Sequence, residues 1–196
     1  MITSRRNFLV GAGTAAATIP LAGCPAFLVS LEADIMNYVP VGLQAFSSIV
    51  SILEDDGVIN PIVGTSINTI ITAVKAGFSD LQLAIENYEN APAANKQTLL
   101  GKIATMISVV QGLLQEFWAN LNIPDAHLGS VIDGLLGIIL SVLAGFASQL
   151  PAVAARVSVK GGKTLAVTPQ VMSKKTFKKK FNAELKSAGK AQYAIY

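Results

Sequence analysis

The sequence predicts a mainly α protein: an up-and-down four-helix bundle with a small C-terminal β-hairpin and a basic amphipathic helix. Three observations carry that expectation. Apolar residues recur at steps of three and four through two long segments, first Ile67, Ile71, Val74, Phe78, Leu81, Ile85 and Tyr88, then Leu100, Ile103, Ile107, Val110, Leu114, Phe117 and Leu121. Such a stripe buries one face of a helix, and a sustained seven-residue repeat favours neighbours packed at shallow angles. Only Asn90-Ala91-Pro92 separates the two segments, so the chain folds back there as an antiparallel hairpin. Between the remaining segments stand residues that start and stop helices.

In the first pass, Phe27, Leu28, Leu31, Ile35 and Tyr38 form one stripe, and Leu43, Phe46, Val50 and Leu53 form another. Pro40 lies between them and has no N–H to donate, which predicts two short helices or one helix kinked at Pro40. Asp55-Asp56-Gly57 closes this pass. Asn60 before Pro61 reads as an N-cap followed by proline in the first helical position, where a missing N–H costs nothing. After the hairpin of the second and third passes, Asn122-Ile123-Pro124-Asp125 restarts the chain, and a fourth helix runs over 128–150 until Pro151.

The fourth pass is apolar nearly all round over 131–150, broken by Asp133, Ser141, Ser148 and Gln149 and dotted with Gly134, Gly137, Ala144 and Gly145. At about 1.5 Å per residue it is long enough to span a bilayer. Two readings compete: a central bundle helix buried on most faces, or a membrane span using its glycines for packing. Asp133 inside the run would be costly in lipid, and the buried reading is preferred.

Beyond Pro151 the pattern changes. Arg156-Val157-Ser158-Val159-Lys160, Gly161-Gly162 and Lys163-Thr164-Leu165-Ala166-Val167 alternate around a glycine turn, predicting a hairpin over 156–167. Over 173–188 a helix is expected, with Phe177, Phe181 and Leu185 as one apolar ridge, Ser173 capping its start and Gly189 its end. Charge divides the chain at the same place. Residues 24–155 hold three lysines against eleven acids, a net of −8, whereas 156–196 hold ten basic residues against Glu184, a net of +9.

That split makes Lys174, Lys175, Phe177, Lys178, Lys179, Lys180, Phe181 and Leu185 the candidate contact with an anionic surface. The lysines would meet lipid headgroups, phosphates or another acidic polymer while the three apolar side chains dip into an interface. The competing expectation is that the ridge packs on the acidic bundle and the lysines face water. A protein partner is a further expectation. Nucleic acid is not expected, because no recognition module is present.

Chemistry-bearing constellations are sparse. His127 is the single histidine and Cys24 the single cysteine, so a zinc site built from His and Cys is not expected, and one Cys/His pair is all that a nucleophilic site could draw on. Glu54, Asp55 and Asp56 could collect a cation, but at a helix end they read more simply as surface polar residues. Trp118, beside Phe117, reads as a core or interface aromatic. No glycine-rich phosphate loop or haem-attachment motif occurs, and the expectation is a protein that is not an enzyme and has no metal.

The N-terminus carries the one resemblance. Ser4-Arg5-Arg6-Asn7-Phe8-Leu9 precedes a mildly apolar Gly/Ala/Thr stretch that ends in Leu21-Ala22-Gly23-Cys24. This order resembles a bacterial twin-arginine (Tat) exported lipoprotein, with Val10 where a lysine is usual. The resemblance covers residues 4–24 only. It implies that Arg5, Arg6, Phe8 and Leu9 direct export and that Leu21, Ala22 and Gly23 form the cleavage box before Cys24. Residues 1–23 would be removed, and Cys24 would carry a covalent lipid, the only prosthetic group expected.

The expected organisation is therefore a signal peptide over 1–23, an acidic bundle over 24–151 and a basic tail over 152–196. Its expected place is the bacterial cell envelope, held by lipid on the periplasmic or outer face. Pro25 stands where an aspartate would signal inner-membrane retention. Three functional classes follow. The preferred one is a non-catalytic envelope lipoprotein acting as an interaction or structural module; the others are a carrier or sensor of an apolar ligand held between helices, and a membrane-active or pore-like protein.

Overall fold

The computed structural model describes residues 25–59, 65–150, 165 and 167–196. The protein is mainly helical, with helices packed on one another as a bundle. Among the described residues its elements are α1 (Pro25–Asp55), α2 (Thr65–Glu89), α3 (Ala93–Asn120), α4 (Ala126–Gln149), α5 (Lys174–Ser187) and a 3-10 turn at Ala191–Tyr193. Packing closes a ring in which α1 lies on α2, α2 on α3, α3 on α4, and α4 returns to α1. Two pairs, α2 with α3 and α1 with α4, have contacts at two levels that run in opposite chain directions. Gly42 of α1 faces Phe78 of α2, and Gly77 of α2 faces Val110 and Leu113 of α3. Along α1 and α4, Tyr38 meets Phe146 while Asp56, just past the end of α1, shares a cleft with Leu128.

The heptad stripes become the core. From Ile71 to Tyr88 on α2, and throughout the α3 stripe, every expected position is buried. Lys96 lies over the Tyr88 ring at 4.7 Å, tying the two arms of the hairpin beside its turn. The first pass is one continuous helix with Pro40 inside it at an exposed position. Helix ends follow the expected chemistry. At the end of α1, Gly57 adopts φ +70°, Val58 N–H donates to Leu53 O at 2.8 Å, and Gly57 N–H donates to Glu54 O at 3.0 Å. This is a Schellman closure, which needs a left-handed residue that glycine supplies without a Cβ clash. Asn60-Pro61 lies outside the described residues.

Helix α4 is covered by α1, α3 and α5, and this burial accounts for a sequence apolar on nearly every face. Asp133 is exposed. Among the described residues, three stretches are long and apolar enough to cross a membrane: Asp34–Asp55, Ala94–Asn120 and Ala126–Gln149.

The expected hairpin over 156–167 falls mostly outside the described residues, and among the described residues there is no strand. Leu165 is held in another way. Its N–H donates to Gln115 Oε1 at 3.0 Å and its carbonyl accepts from Gln115 Nε2 at 3.3 Å, so one side-chain amide takes both backbone groups that a hairpin partner would have taken. From Val167 the chain runs as an extended strap across α4. Gln170 N–H donates to Ser141 O at 2.9 Å, and the strap passes so close to Gly145 that a Cβ there would lie 2.4 Å from Gln170 O. The small residues of α4 do permit a close backbone approach, but at Gly145 by this strap; at Gly134 the near neighbour is the Glu184 side chain.

Candidate functional site

Helix α5 is the strongest candidate, and two sequence patterns build it. Ser173 caps its start, with Oγ accepting from Thr176 N–H at 3.3 Å, and Gly189 at φ +69° ends it while Lys190 N–H donates to Leu185 O at 2.8 Å. Between these caps, Phe177, Phe181 and Leu185 lie on one stripe, and all three are fully buried in the bundle core against α1 and α4. Phe177 meets the Tyr38 ring edge-on at 5.1 Å and stacks on Phe181 at 5.8 Å. Tyr38, in turn, donates from its hydroxyl to Ile139 O at 3.1 Å, and burial pushes its phenol well above the ordinary value.

The eight residues expected at an anionic surface thus divide in two. Phe177, Phe181 and Leu185 are committed to the core and do not present a ridge for insertion. Lys174, Lys175, Lys179 and Lys180 are exposed and Lys178 is half-buried. Among the described residues none of these five makes an ion pair, although the body beneath is acidic; Lys180 reaches only Gln170 Oε1 at 3.0 Å. On a helix the opposite face from the ridge collects Lys175, Lys179 and Lys186, spaced by four and seven. Like charges at such spacings repel, and the lysines nearest the start of α5 also oppose the helix dipole. The face therefore gathers several positive charges, none of them within ion-pair distance of a carboxylate among the described residues.

The acidic triplet at the end of α1 has an internal role that the sequence did not reveal. Asp56 pairs with Lys190 Nζ at 2.6 Å, and Asp55 accepts from the Tyr193 hydroxyl, which raises the Tyr193 phenol above its ordinary value chiefly through that hydrogen bond. Just beyond, Asn182 clamps Ile195 by accepting from its N–H at 2.9 Å and donating to its carbonyl at 3.0 Å. The carboxylates receive the C-terminal segment. Among the described residues no group of three or more His, Cys, Asp or Glu side chains is placed to hold a metal.

Beside this latch is a cleft of about 500 Å³, lined by Asp56, Val58, Pro124, Asp125, His127, Leu128, Val131, Ala188 and Lys190. His127 is exposed at its rim. Asp125 is occupied as the N-cap of α4, accepting from Leu128 N–H at 2.7 Å. Trp118 is half-buried and packs on the core. Arg5, Arg6, Phe8, Leu9, Leu21, Ala22, Gly23 and Cys24 lie outside the described residues.

The chain matches no protein-family model, no curated protein and no solved structure.

Proposed function

We propose that this protein is a non-catalytic, lipid-anchored component of the bacterial cell envelope, in which an up-and-down four-helix bundle presents a basic helix to envelope anions or to a partner. The export and lipidation motifs over residues 4–24 support the anchor. The observation that carries the contact is the division of α5 into a ridge sunk in the core and a lysine face without acidic partners among the described residues. The ridge fixes the helix on the bundle, so the lysines are held in place rather than carried on a loose tail. The contact is electrostatic and non-inserting. In general each lysine near an anionic lipid surface contributes about 1 kcal/mol, and salt screens it within roughly 10 Å.

The test is binding of the full chain to vesicles with and without phosphatidylglycerol. Binding should rise with the anionic fraction and fall with added salt. Replacing Lys175, Lys179 and Lys186 together by glutamine should weaken it at least tenfold without changing the melting temperature by more than a few degrees. Binding unchanged by that triple substitution would remove the proposal for α5.

A second reading has its own observation: the cleft at the bundle end, with an apolar floor of Val58, Leu128 and Val131 and a polar rim, is large enough for a small amphiphile. A bound apolar molecule carried through purification and seen by native mass spectrometry would favour that carrier role.

A further inference from the structure

Helix α3 is apolar but poorly covered. In the spanning-length stretches of α1 and α4, 56% of the residues of the most apolar window are buried; in that of α3 the share is 33%. Its outward face is centred on Val109, which is 47% exposed, with Met106 and Leu113 half-buried on either side. Between Lys102 and Glu116 the sequence has no charged residue. Both of these end residues are exposed, and neither makes an ion pair among the described residues.

We infer that this face of α3 binds a second copy of the chain, antiparallel, about a two-fold axis through Val109. The warrant is self-complementarity in charge and size. Lys102 stands seven residues before Val109 and Glu116 seven after it, two helical turns each way, so all three lie on one stripe. In an antiparallel pair centred on Val109, the residue k places before it faces the residue k places after it in the other copy. Lys102 then meets Glu116 of the second copy at both ends of the seam. Within it, the long Met106 side chain faces Gly112, and Leu113 faces the smaller Thr105. A two-fold interface uses the same patch twice, and opposite charges placed symmetrically about the axis make that patch complementary to itself.

A bilayer covering the same face would have to receive a lysine and a glutamate about two turns from its centre, and the seam offers them no partners there. One helix face buries less than the roughly 800 Å² per partner of standard interfaces, so the pair is a weak dimer that a shared membrane surface would concentrate.

The test uses the full chain with Cys24→Ser, so that an introduced cysteine is the single thiol. Val109→Cys places two thiols on the axis, within disulfide reach for closely packed helices. Leu83→Cys, on α2 and 57% exposed, is the control for random collision. Mild oxidation should cross-link the Val109→Cys protein at least tenfold faster than the control. Adding Lys102→Glu should lower that rate at least tenfold, and adding Glu116→Lys as well should restore it. The substitutions at 83, 102, 109 and 116 are at exposed positions and should keep the helical circular dichroism and melting of the parent. Equal rates at 83 and 109, a monomer by sedimentation across the accessible concentration range, or a charge swap that fails to restore cross-linking would each overturn the inference. So would a monomer whose Val109→Cys thiol is shielded only when vesicles are added, which would assign the face to lipid.

Discussion

A Cβ at Gly145 would come within 2.4 Å of Gln170 O and 2.5 Å of Gln170 C, both backbone atoms that a rotamer change cannot move. Gly145→Ala should therefore lift the strap off α4 and lower the unfolding free energy by about 1–3 kcal/mol, the range typical of overpacking. Gly137 is the control within the same helix. A Cβ there has nothing within 4 Å, so Gly137→Ala should stabilise by about 0.5–1 kcal/mol through helix propensity alone. Urea titration of the two variants reads both signs. Tyr38 tests a different aspect of the core. Tyr38→Phe keeps the ring against Phe146 and Phe177 and removes the bond to Ile139 O, a loss of about 1 kcal/mol at neutral pH. Its raised phenol makes the folded state hold a proton that the unfolded state releases near pH 10, so stability present below that pH is lost as pH rises above it. Tyr38→Phe should flatten that alkaline limb, as equilibrium unfolding between pH 9 and 11 would show. The aromatic identity of Tyr38 was legible in the sequence. Its partners were not, because they lie 101 residues away on α4 and beyond on α5.

Helix α5 shows how far local pattern reaches at the scale of an element. Its limits, its caps and its three-residue ridge are legible because each depends on neighbours within one or two turns. Whether the ridge seeks lipid or core is a tertiary matter, and Phe177, Phe181 and Leu185 are at zero exposure in the core. Phe181→Ala should therefore cost about 3–5 kcal/mol and broaden or lower the thermal transition, whereas glutamine at the lysine positions should leave stability within about 0.5 kcal/mol. The reverse pattern would mean that the helix is docked only loosely. The region before α5 was less legible. Alternation around Gly161-Gly162 suggests strand pairing, but Leu165 satisfies its backbone with Gln115, a glutamine fifty residues earlier with no local signature. Asn182 repeats the device on Ile195. Neither amide could have been selected from sequence, since any exposed glutamine or asparagine would look alike.

Over the whole molecule, the heptad stripes of α2 and α3, with the three-residue link between them, fixed the bundle in advance. The acidic body and the basic C-terminal helix share one core, because the fold uses Phe177, Phe181, Leu185 and Ile195 to close it. Deleting residues 173–196 should therefore lower the melting temperature by more than about 10 °C or abolish a cooperative transition, and a truncated chain is a poor reagent for studying the lysine face. What the sequence could not show was which acids are already engaged within the fold. Asp55 and Asp56 are engaged by Tyr193 and Lys190, leaving the α5 lysines without acidic partners among the described residues. An electrostatic contact of this kind has its use at a surface to which the protein is already tethered, and the tether is the lipid proposed on Cys24. Intact-mass measurement of the native protein extracted from membranes bears on that most directly. The expected result is a chain beginning at Cys24 with the added mass of acyl groups; a chain beginning at Met1 with an unmodified thiol would contradict it.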